Sequence, residues 1–356
     1  MTASASAKQS PRYLEILEDL RRKIEVGELR PGERLPSFTE MRQTQSASQA
    51  TMERVYAVLE RERLIVRERG RGTFVSDGRA LATGLIGYIG GAFAQRQRYS
   101  YAAQLVEGIE EVVRREDFRV LLLEPDSRIG WNKVDGLLIS ATAPRKTMEP
   151  LPSGLPCVMM LQAGEGSASV VADDYGGATQ AIGHLLDLGH RRIAVLMQDT
   201  GMAVRLRLAG YSDAMRDAGI EVGADWMRAP ELTAMDSGYR DWGYNSMKRW
   251  LAEDWRRLNC SAIFVQNDVA AIGVLEAFRE AGIVVPDEVS VISFDGTDVC
   301  DYCNPRLTAI EVPLRDIGMT ATQLLIQQIV RRETSAATTV LPTRLKPGES
   351  TAPARH

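Results

Sequence analysis

Asp173-Asp174, Asn267-Asp268, Asp295 and Arg207 are the residues of this 356-residue chain whose types and placement could do chemistry. Each carboxylate or amide follows an apolar run: Val170-Val171, Phe264-Val265-Gln266, and Val291-Ile292-Ser293-Phe294 respectively, while Arg207 comes after the run that ends at Met197. Such groups donate or accept in fixed directions, so a set of them at strand ends suits a ligand with many hydroxyls. Taken singly, each is equally a helix cap, because Asp and Asn cap helices routinely. A second cluster is basic: Arg61, Arg63, Arg67, Arg69 and Arg71 crowd one short stretch. Guanidinium groups suit phosphate oxygens and guanine edges better than a core. Glu60, Glu62 and Glu68 are interleaved with them, which is also the composition of a solvated charged face.

The arginine cluster needs a rigid support, and residues 11–76 supply one. Tyr13, Ile16, Leu17, Leu20 and Ile24 recur at helical spacing, with Gly27 placed to stop the helix. Ser37 followed three residues later by Glu40 is a capping box, which starts a short helix near Phe38. The polar break 44–47 interrupts it, and Ser48 then caps a helix whose apolar face is Met52, Val55, Tyr56 and Leu59. Two extended runs, 64–69 and 72–75, joined at Gly70-Arg71, read as a hairpin. Two helices, a tight turn and a hairpin make a winged helix-turn-helix.

The polar cluster needs a different support. After a linker at 77–83, apolar strands at 85–89, 120–123, 134–139, 156–161, 169–172, 192–197, 262–266 and 290–294 alternate with helices at 102–115, 175–188, 207–218 and 270–281. Apolar strands separated by helices predict parallel sheets covered on both faces. So many units exceed one ordinary sheet, which predicts a doubly wound α/β body in two lobes with a cleft between them. Ligands of such sheets bind beyond the carboxyl ends of the strands, where the polar residues fall.

Composition bounds the function. Hydrophobic residues make up 44% and charged residues 25%, and the formal net charge is −4. Residues 1–78 carry 14 Lys and Arg against 12 Asp and Glu, leaving this segment about +2 and the remainder about −6. A weakly basic head on an acidic body fits a nucleic-acid reader with a separate body. No long apolar run or secretion signal is present, so the chain is expected in the cytoplasm and not in a membrane. Four cysteines are too few for a disulfide framework, and Cys300-Asp301-Tyr302-Cys303 lacks further ligands for zinc, so no metal or cofactor is expected. Three histidines, and the absence of nucleophile-elbow, phosphate-loop and dinucleotide motifs, argue against an enzyme.

With Leu35-Pro36-Ser37, Glu40, Ser48, Thr51 and Gly70 to Val75 in place, residues 11–76 resemble the GntR family of bacterial winged-helix regulators. The resemblance implies DNA contacts by Ser37, Ser48, Thr51, Arg69, Gly70 and Arg71, with Gln49 available to read adenine. Thr39, Gln49 and Glu53 stand where that family often has arginine, so its sequence preference does not carry over; Glu53 is offered instead to Arg22 or Arg54. The stretches VVADDYGGATQAIGHLLDLGHRRIAVL, RLRLAGYSDAMRDAGI and IFVQNDVAAIGVLEAFREAGIVVPDEVSVISFDGTD look like the effector domain of LacI-type repressors, relatives of periplasmic sugar-binding proteins, over residues 84–346. That resemblance implies ligand contacts by Asp173, Arg207, Asn267 and Asp295 with a wall near Tyr239. It also implies a division into lobe 1 at about 84–189 and 313–332 and lobe 2 at about 190–312 and 338–346. The loop 90–101 departs from the family, carrying Arg96, Arg98, Tyr99 and Tyr101 in place of an Asn-Pro pair. The combination is similar to arabinose-responsive repressors. What it implies is a homodimer or higher assembly that binds operator DNA and a sugar or sugar-derived effector. In the alternative, a sugar sensor acts through a protein partner and its winged helix has degenerated.

Overall fold

The computed structural model describes residues 11–25, 28–30, 32–36, 48–62, 64–68, 70–76, 83–90, 101–123, 134–141, 155–164, 166–198, 201–231, 233, 236, 238–331 and 335–355. They fall into two compact units, one centred on the N-terminal segment and one on the remainder.

In the first unit, α1 (Pro11–Glu25) and α2 (Gln49–Arg61) pack on a hairpin of β1 (Ile65–Glu68) and β2 (Gly72–Val75). The hairpin register pairs Ile65 with Val75 and Glu68 with Gly72. Its turn needs a left-handed residue, which Gly70 provides at φ +78°, and Arg71 N–H closes it on Glu68 O at 3.0 Å. The core is the set read from the spacing: Tyr13, Ile16, Leu17 and Leu20 from α1, then Met52, Val55, Tyr56 and Leu59 from α2, closed by Leu35, Ile65 and Val75. Tyr56 anchors its hydroxyl on Pro36 O at 2.9 Å, and Arg21 forks onto Glu62. The capping box at Ser37 and Glu40 and the stop at Gly27 lie outside the described residues.

The second unit holds two six-stranded sheets. One has the order β13-β7-β6-β5-β3-β4, from β3 (Leu85–Ile89), β4 (Arg119–Leu123), β5 (Gly136–Ser140), β6 (Cys157–Met160), β7 (Ala168–Ala172) and β13 (Thr338–Leu341). It is covered by α3 (Tyr101–Arg115) and α9 (Leu314–Arg331). The other has the order β14-β12-β11-β10-β8-β9, from β8 (Ile193–Leu196), β9 (Met227–Arg228), β10 (Ala262–Val265), β11 (Ser290–Asp295), β12 (Thr308–Glu311) and β14 (Arg344–Lys346). Alternate residues of its strands face opposite ways and are apolar on both. Ile193, Val195, Phe264 and Ile292 belong to the core that includes α4 (Asp174–Asp187) and α5 (Met202–Asp217). Ala194, Leu196, Ile263 and Val291 pack against α6 (Tyr239–Glu253), α7 (Trp255–Leu258) and α8 (Asp268–Glu280).

The expected lobe boundaries shift in two places. α4 packs on β10, β12 and β14, so residues 174–187 belong with lobe 2, not lobe 1. β13 pairs parallel with β7, Thr338 to Ser169 through Leu341 to Ala172, so it belongs with lobe 1, not lobe 2. The chain therefore crosses between sheets after β7, after β12 and after β13. Hydrogen bonds tie the crossings together: Asp173 N–H donates to Leu341 O at 2.9 Å and Thr343 hydroxyl to Asp173 O at 3.2 Å. Just before β5, Asp135 accepts from the N–H groups of Thr83 and Gly84 at 2.9 and 2.8 Å, gathering the end of the linker segment on one carboxylate.

Glycines set how close the helices come. A Cβ at Gly273 of α8 would lie 2.0 Å from Arg240 O on α6, and one at Gly243 of α6 would lie 2.2 Å from Ala270 O on α8. The same reciprocal contact joins Gly108 of α3 to Arg315 O and Gly318 of α9 to Leu105 O. Gly183 of α4, by contrast, has nothing within 4 Å of a built Cβ. Alanine is the better helix former at every one of these sites by about 1 kcal/mol. Gly183→Ala is therefore expected to raise the unfolding midpoint slightly, whereas Gly273→Ala should lower it by the equivalent of about 1–3 kcal/mol because the helices must part. Thermal or denaturant unfolding of the two variants checks the contrast, and a Gly273→Ala chain as stable as the parent would show that the close approach is not needed.

Candidate functional site

The cleft residues are organised by α5, which enters earlier than the sequence pattern indicates. Gly201, at φ +147°, precedes its first turn, so the helix begins at Met202 and Arg207 lies in its second turn, not at its start. The Arg207 side chain is 9% exposed. Its Nε donates to Asp174 Oδ1 at 2.8 Å, one terminal nitrogen to Gln266 O at 2.7 Å, and the other lies 3.7 Å from Asp295 Oδ1. The guanidinium carbon sits 3.6 Å from the centre of the Phe294 ring. Burial alone would pull this group down, yet Asp174 and Asp295 outweigh it and hold the guanidinium charged.

The carboxylates have separate tasks. Asp173 caps α4, its Oδ1 accepting from Gly176 N–H at 2.8 Å, while its neighbour Asp174 is the one that meets Arg207. Asn267 caps α8 through its side-chain oxygen, accepting from Ala270 N–H at 2.8 Å, which leaves the amide nitrogen as the part able to reach a ligand. Asp268 is buried and saturated: it accepts from Ser293 hydroxyl at 2.6 Å and from the N–H and hydroxyl of Thr297, both at 2.7 Å. That pins the turn after β11, where Asp295 stands at φ +106°, a backbone region costly for a residue with a Cβ. Burial pushes the Asp295 carboxyl well above the usual carboxylate range, and Arg207 pulls it back only in part.

Two tyrosines approach this cluster. Tyr239, the first residue of α6, packs edge-on to Trp242 with centroids 6.2 Å apart. Tyr101, the first residue of α3, comes from lobe 1. Burial raises both hydroxyls and Asp295 raises them further, which places each within electrostatic reach of Asp295 and Arg207. Of the residues expected at the cleft, Arg207, Asp295 and Tyr239 are thus brought together, while Asp173 and Asn267 stand at adjoining helix caps. The strand-end pattern points to Asp174 and Asp268 without separating them from Asp173 and Asn267, and it gives no sign of Phe294 or Tyr101. The polar runs Asp173-Asp174 and Gln266-Asn267-Asp268 are the available signal. Arg96, Arg98 and Tyr99 lie outside the described residues.

His190 is structural: it bridges Ser261, Ser290 and Ala352 O at 2.8–3.1 Å, and burial lowers it. Burial also raises the thiols, Cys303 to about 11 and Cys157 to about 12, so they stay protonated at neutral pH.

In the first unit, Ser48 caps α2 on Thr51 N–H at 3.2 Å and shares a hydrogen bond with the Thr51 hydroxyl at 2.8 Å. Gln49 is exposed, but its amide donates to Glu53 Oε1 at 3.1 Å. The expected pairing of Glu53 with Arg22 or Arg54 does not form. Arg22 is taken by Glu28 at 2.8 Å, a partner nearer in the chain, and Arg54 lies over the Tyr13 ring at 5.3 Å. Arg71 is exposed at the turn of the wing, beside Gly70, and bonds Glu68 Oε2 at 2.5 Å. Ser37 and Arg69 lie outside the described residues. The first unit thus carries a side-chain-capped helix and a hairpin whose turn exposes Arg71.

Comparison with known proteins matches both halves of the chain. Residues 12–75 fit the bacterial regulatory proteins of the gntR family, and residues 182–351 fit the periplasmic binding protein-like domain. The HTH-type transcriptional repressor PurR of Escherichia fergusonii is 31% identical over 263 residues, which are 68% of this chain and 73% of that protein. A LacI family transcriptional regulator from Enterococcus faecium, solved with bound ribose, superposes with TM-score 0.63 at 26% identity over 76% of this chain and 100% of the other. The transcriptional regulator CelR in complex with cellobiose gives TM-score 0.64 at 25% identity over 85% of this chain and 91% of that one.

Asp295 carries a pH signature. Its folded value is raised above the unfolded one, so its contribution to stability is complete below the ordinary carboxylate range and is lost as pH rises through the folded value. Asp295→Asn should remove that loss, so that variant and parent unfold alike at low pH and the variant gains relative stability toward neutrality. Denaturant unfolding across the pH range checks this; a difference that does not change with pH would show that folding leaves the Asp295 carboxyl unshifted.

Proposed function

Because the chain belongs to the LacI-type transcriptional regulators and carries a GntR-type DNA reader ahead of the binding body, we propose that it is a repressor released from its operator by a sugar-like ligand. The observation that carries the reading is the Arg207 cluster: a buried guanidinium held by Asp174, Gln266 O and Asp295, flanked by Tyr239 of lobe 2 and Tyr101 of lobe 1. Directional groups beside aromatic faces suit a neutral, hydroxyl-rich molecule, whose apolar ring face can stack while its hydroxyls pair. The ribose-bound and cellobiose-bound relatives support a ligand of that class.

On this reading Asp295, Asn267 and Arg207 meet ligand hydroxyls, Tyr239 and Tyr101 form walls, and Asp173 holds the helix that carries Asp174. Ser48, Gln49, Thr51, Gly70 and Arg71 face the operator, together with Ser37 and Arg69. Two chains related by two-fold symmetry would read a roughly palindromic site in the cytoplasm. Closure of the lobes around ligand would alter where the two linkers leave the bodies, and with it the fit to two half-sites. Coupling of this kind typically amounts to about 1–3 kcal/mol. An adaptor working through a protein partner is less favoured, since the recognition helix is capped and the wing is formed.

The test is operator binding by the purified protein on its own upstream DNA, with a panel of pentoses, hexoses and their disaccharides. A two-half-site footprint released by one sugar is expected; a single half-site footprint would remove the dimer, and release by none of the panel would remove the sugar. Arg207→Ala should abolish release while leaving operator affinity intact, and a variant that responds at the parent's sugar concentration would place Arg207 outside the mechanism. Arg71→Ala should weaken DNA binding and flatten the plot of log affinity against log salt by about one unit. An unchanged slope would show that Arg71 neutralises no phosphate.

A further inference from the structure

Away from the cleft, β9 and α6 border a half-open pocket of about 110 Å³ lined by Arg228, Pro230, Ser246, Arg249, Trp250 and Glu253. Five buried side-chain polar atoms lack a hydrogen-bond partner among the described residues, and three of them, Arg228 Nε, Ser246 Oγ and Trp250 Nε1, belong to this lining. Ser246 is 5% exposed and Trp250 1% exposed, so neither is served by bulk solvent. Buried polar groups are nearly always paired, and three orphans on one wall mark a place built for something else.

The chemistry of the orphans defines their partner. An indole N–H and a guanidinium Nε–H can only donate, and a serine hydroxyl donates readily, so the partner is an acceptor, and three donors together suit one with two or more oxygens. Arg228 is held through Nη2, which meets Glu253 of the lining and Asp254, each at 3.1 Å, and its guanidinium carbon lies 5.6 Å from the Trp250 ring centre. Those contacts occupy the nearby carboxylates and leave Nε as the edge without a partner. Arg249 adds a second, exposed guanidinium to the lining, and its charge is felt at Asp236. The volume equals about three or four waters, which is the size of a phosphate or a short carboxylate.

We propose that this cavity is a second ligand site that takes a small oxyanion, separate from the sugar cleft. The anion accepts from Trp250, Ser246 and Arg228 and braces α6 against the edge strand β9. Because α6 begins at Tyr239, one helix runs from the cleft to this site, with Ser246 and Trp250 two and three turns along it.

Calorimetric titration of the full-length protein at fixed ionic strength, with inorganic phosphate, acetate and the uncharged isostere acetamide, tests the assignment. Saturable binding of phosphate or acetate is expected, the stronger of the two naming the source of the oxyanion, with acetamide much weaker. The DNA reader also attracts anions, so variants locate the site. Trp250→Phe keeps the ring but removes the donor, and Ser246→Ala removes the hydroxyl; each should weaken the anion roughly tenfold or more, whereas Arg71→Ala should not. Should Trp250→Phe not fold, Arg249→Gln at the exposed rim replaces it in the comparison. Binding that is unchanged in the cavity variants, acetamide binding as well as acetate, or no saturable anion binding up to about 50 mM would each overturn the proposal.

Discussion

A single buried positive charge governs the body of this protein. Arg207 has almost no access to water, so every one of its directions must be met from within, and the meeting groups come from different parts of the chain: Asp174 at the first crossing, Gln266 at the end of β10, Asp295 at the end of β11. Removing a partner from such a charge costs several kcal/mol, far more than any one exposed ion pair contributes. The placement of three strand ends is therefore coupled to one side chain. A ligand that touches Asp295 or Arg207 acts on that shared constraint, not on an isolated contact.

The residues around it behave as supports. Asp268 bonds Ser293 and Thr297, which fixes the turn that holds Asp295 in a backbone conformation it would otherwise avoid. Strain of this sort persists only where neighbours over-determine it, and it collects at binding sites. The raised carboxyl of Asp295 has a related origin: the fold removes most of the water around it before any ligand arrives.

Much of this was legible in the sequence. The strands announced themselves because parallel strands buried on both faces are unbroken apolar runs, and the first-unit core followed from helical spacing alone. Three things were not legible. The start of α5 depends on Gly201 and a turn whose form no periodicity encodes, so Arg207 was read one turn too early. Asp173 and Asp174 are adjacent and chemically identical; one becomes a cap and the other an ion-pair partner only because the helix begins between them. The lobe boundaries require knowing where the chain crosses, and β13, with its alternating exposed and half-buried residues at a sheet edge, carries no mark of which sheet it joins. The helix α6 escaped notice for a related reason, since Gly243 and Ser246 occupy the buried face where leucine or valine would have signalled it.

The paired glycines bear on how this molecule can move. Where α6 meets α8 and α3 meets α9, backbone rests against backbone with no side chain between to repack, so neither pair can slide without losing contact along its length. Sliding, the shear mode of domain motion, is opposed at these two helix pairs. What remains is bending at the three crossings, where short segments joined by a few hydrogen bonds separate one rigid sheet from the other. Opening and closing, on the function proposed above, would then be a hinge with two stiff leaves.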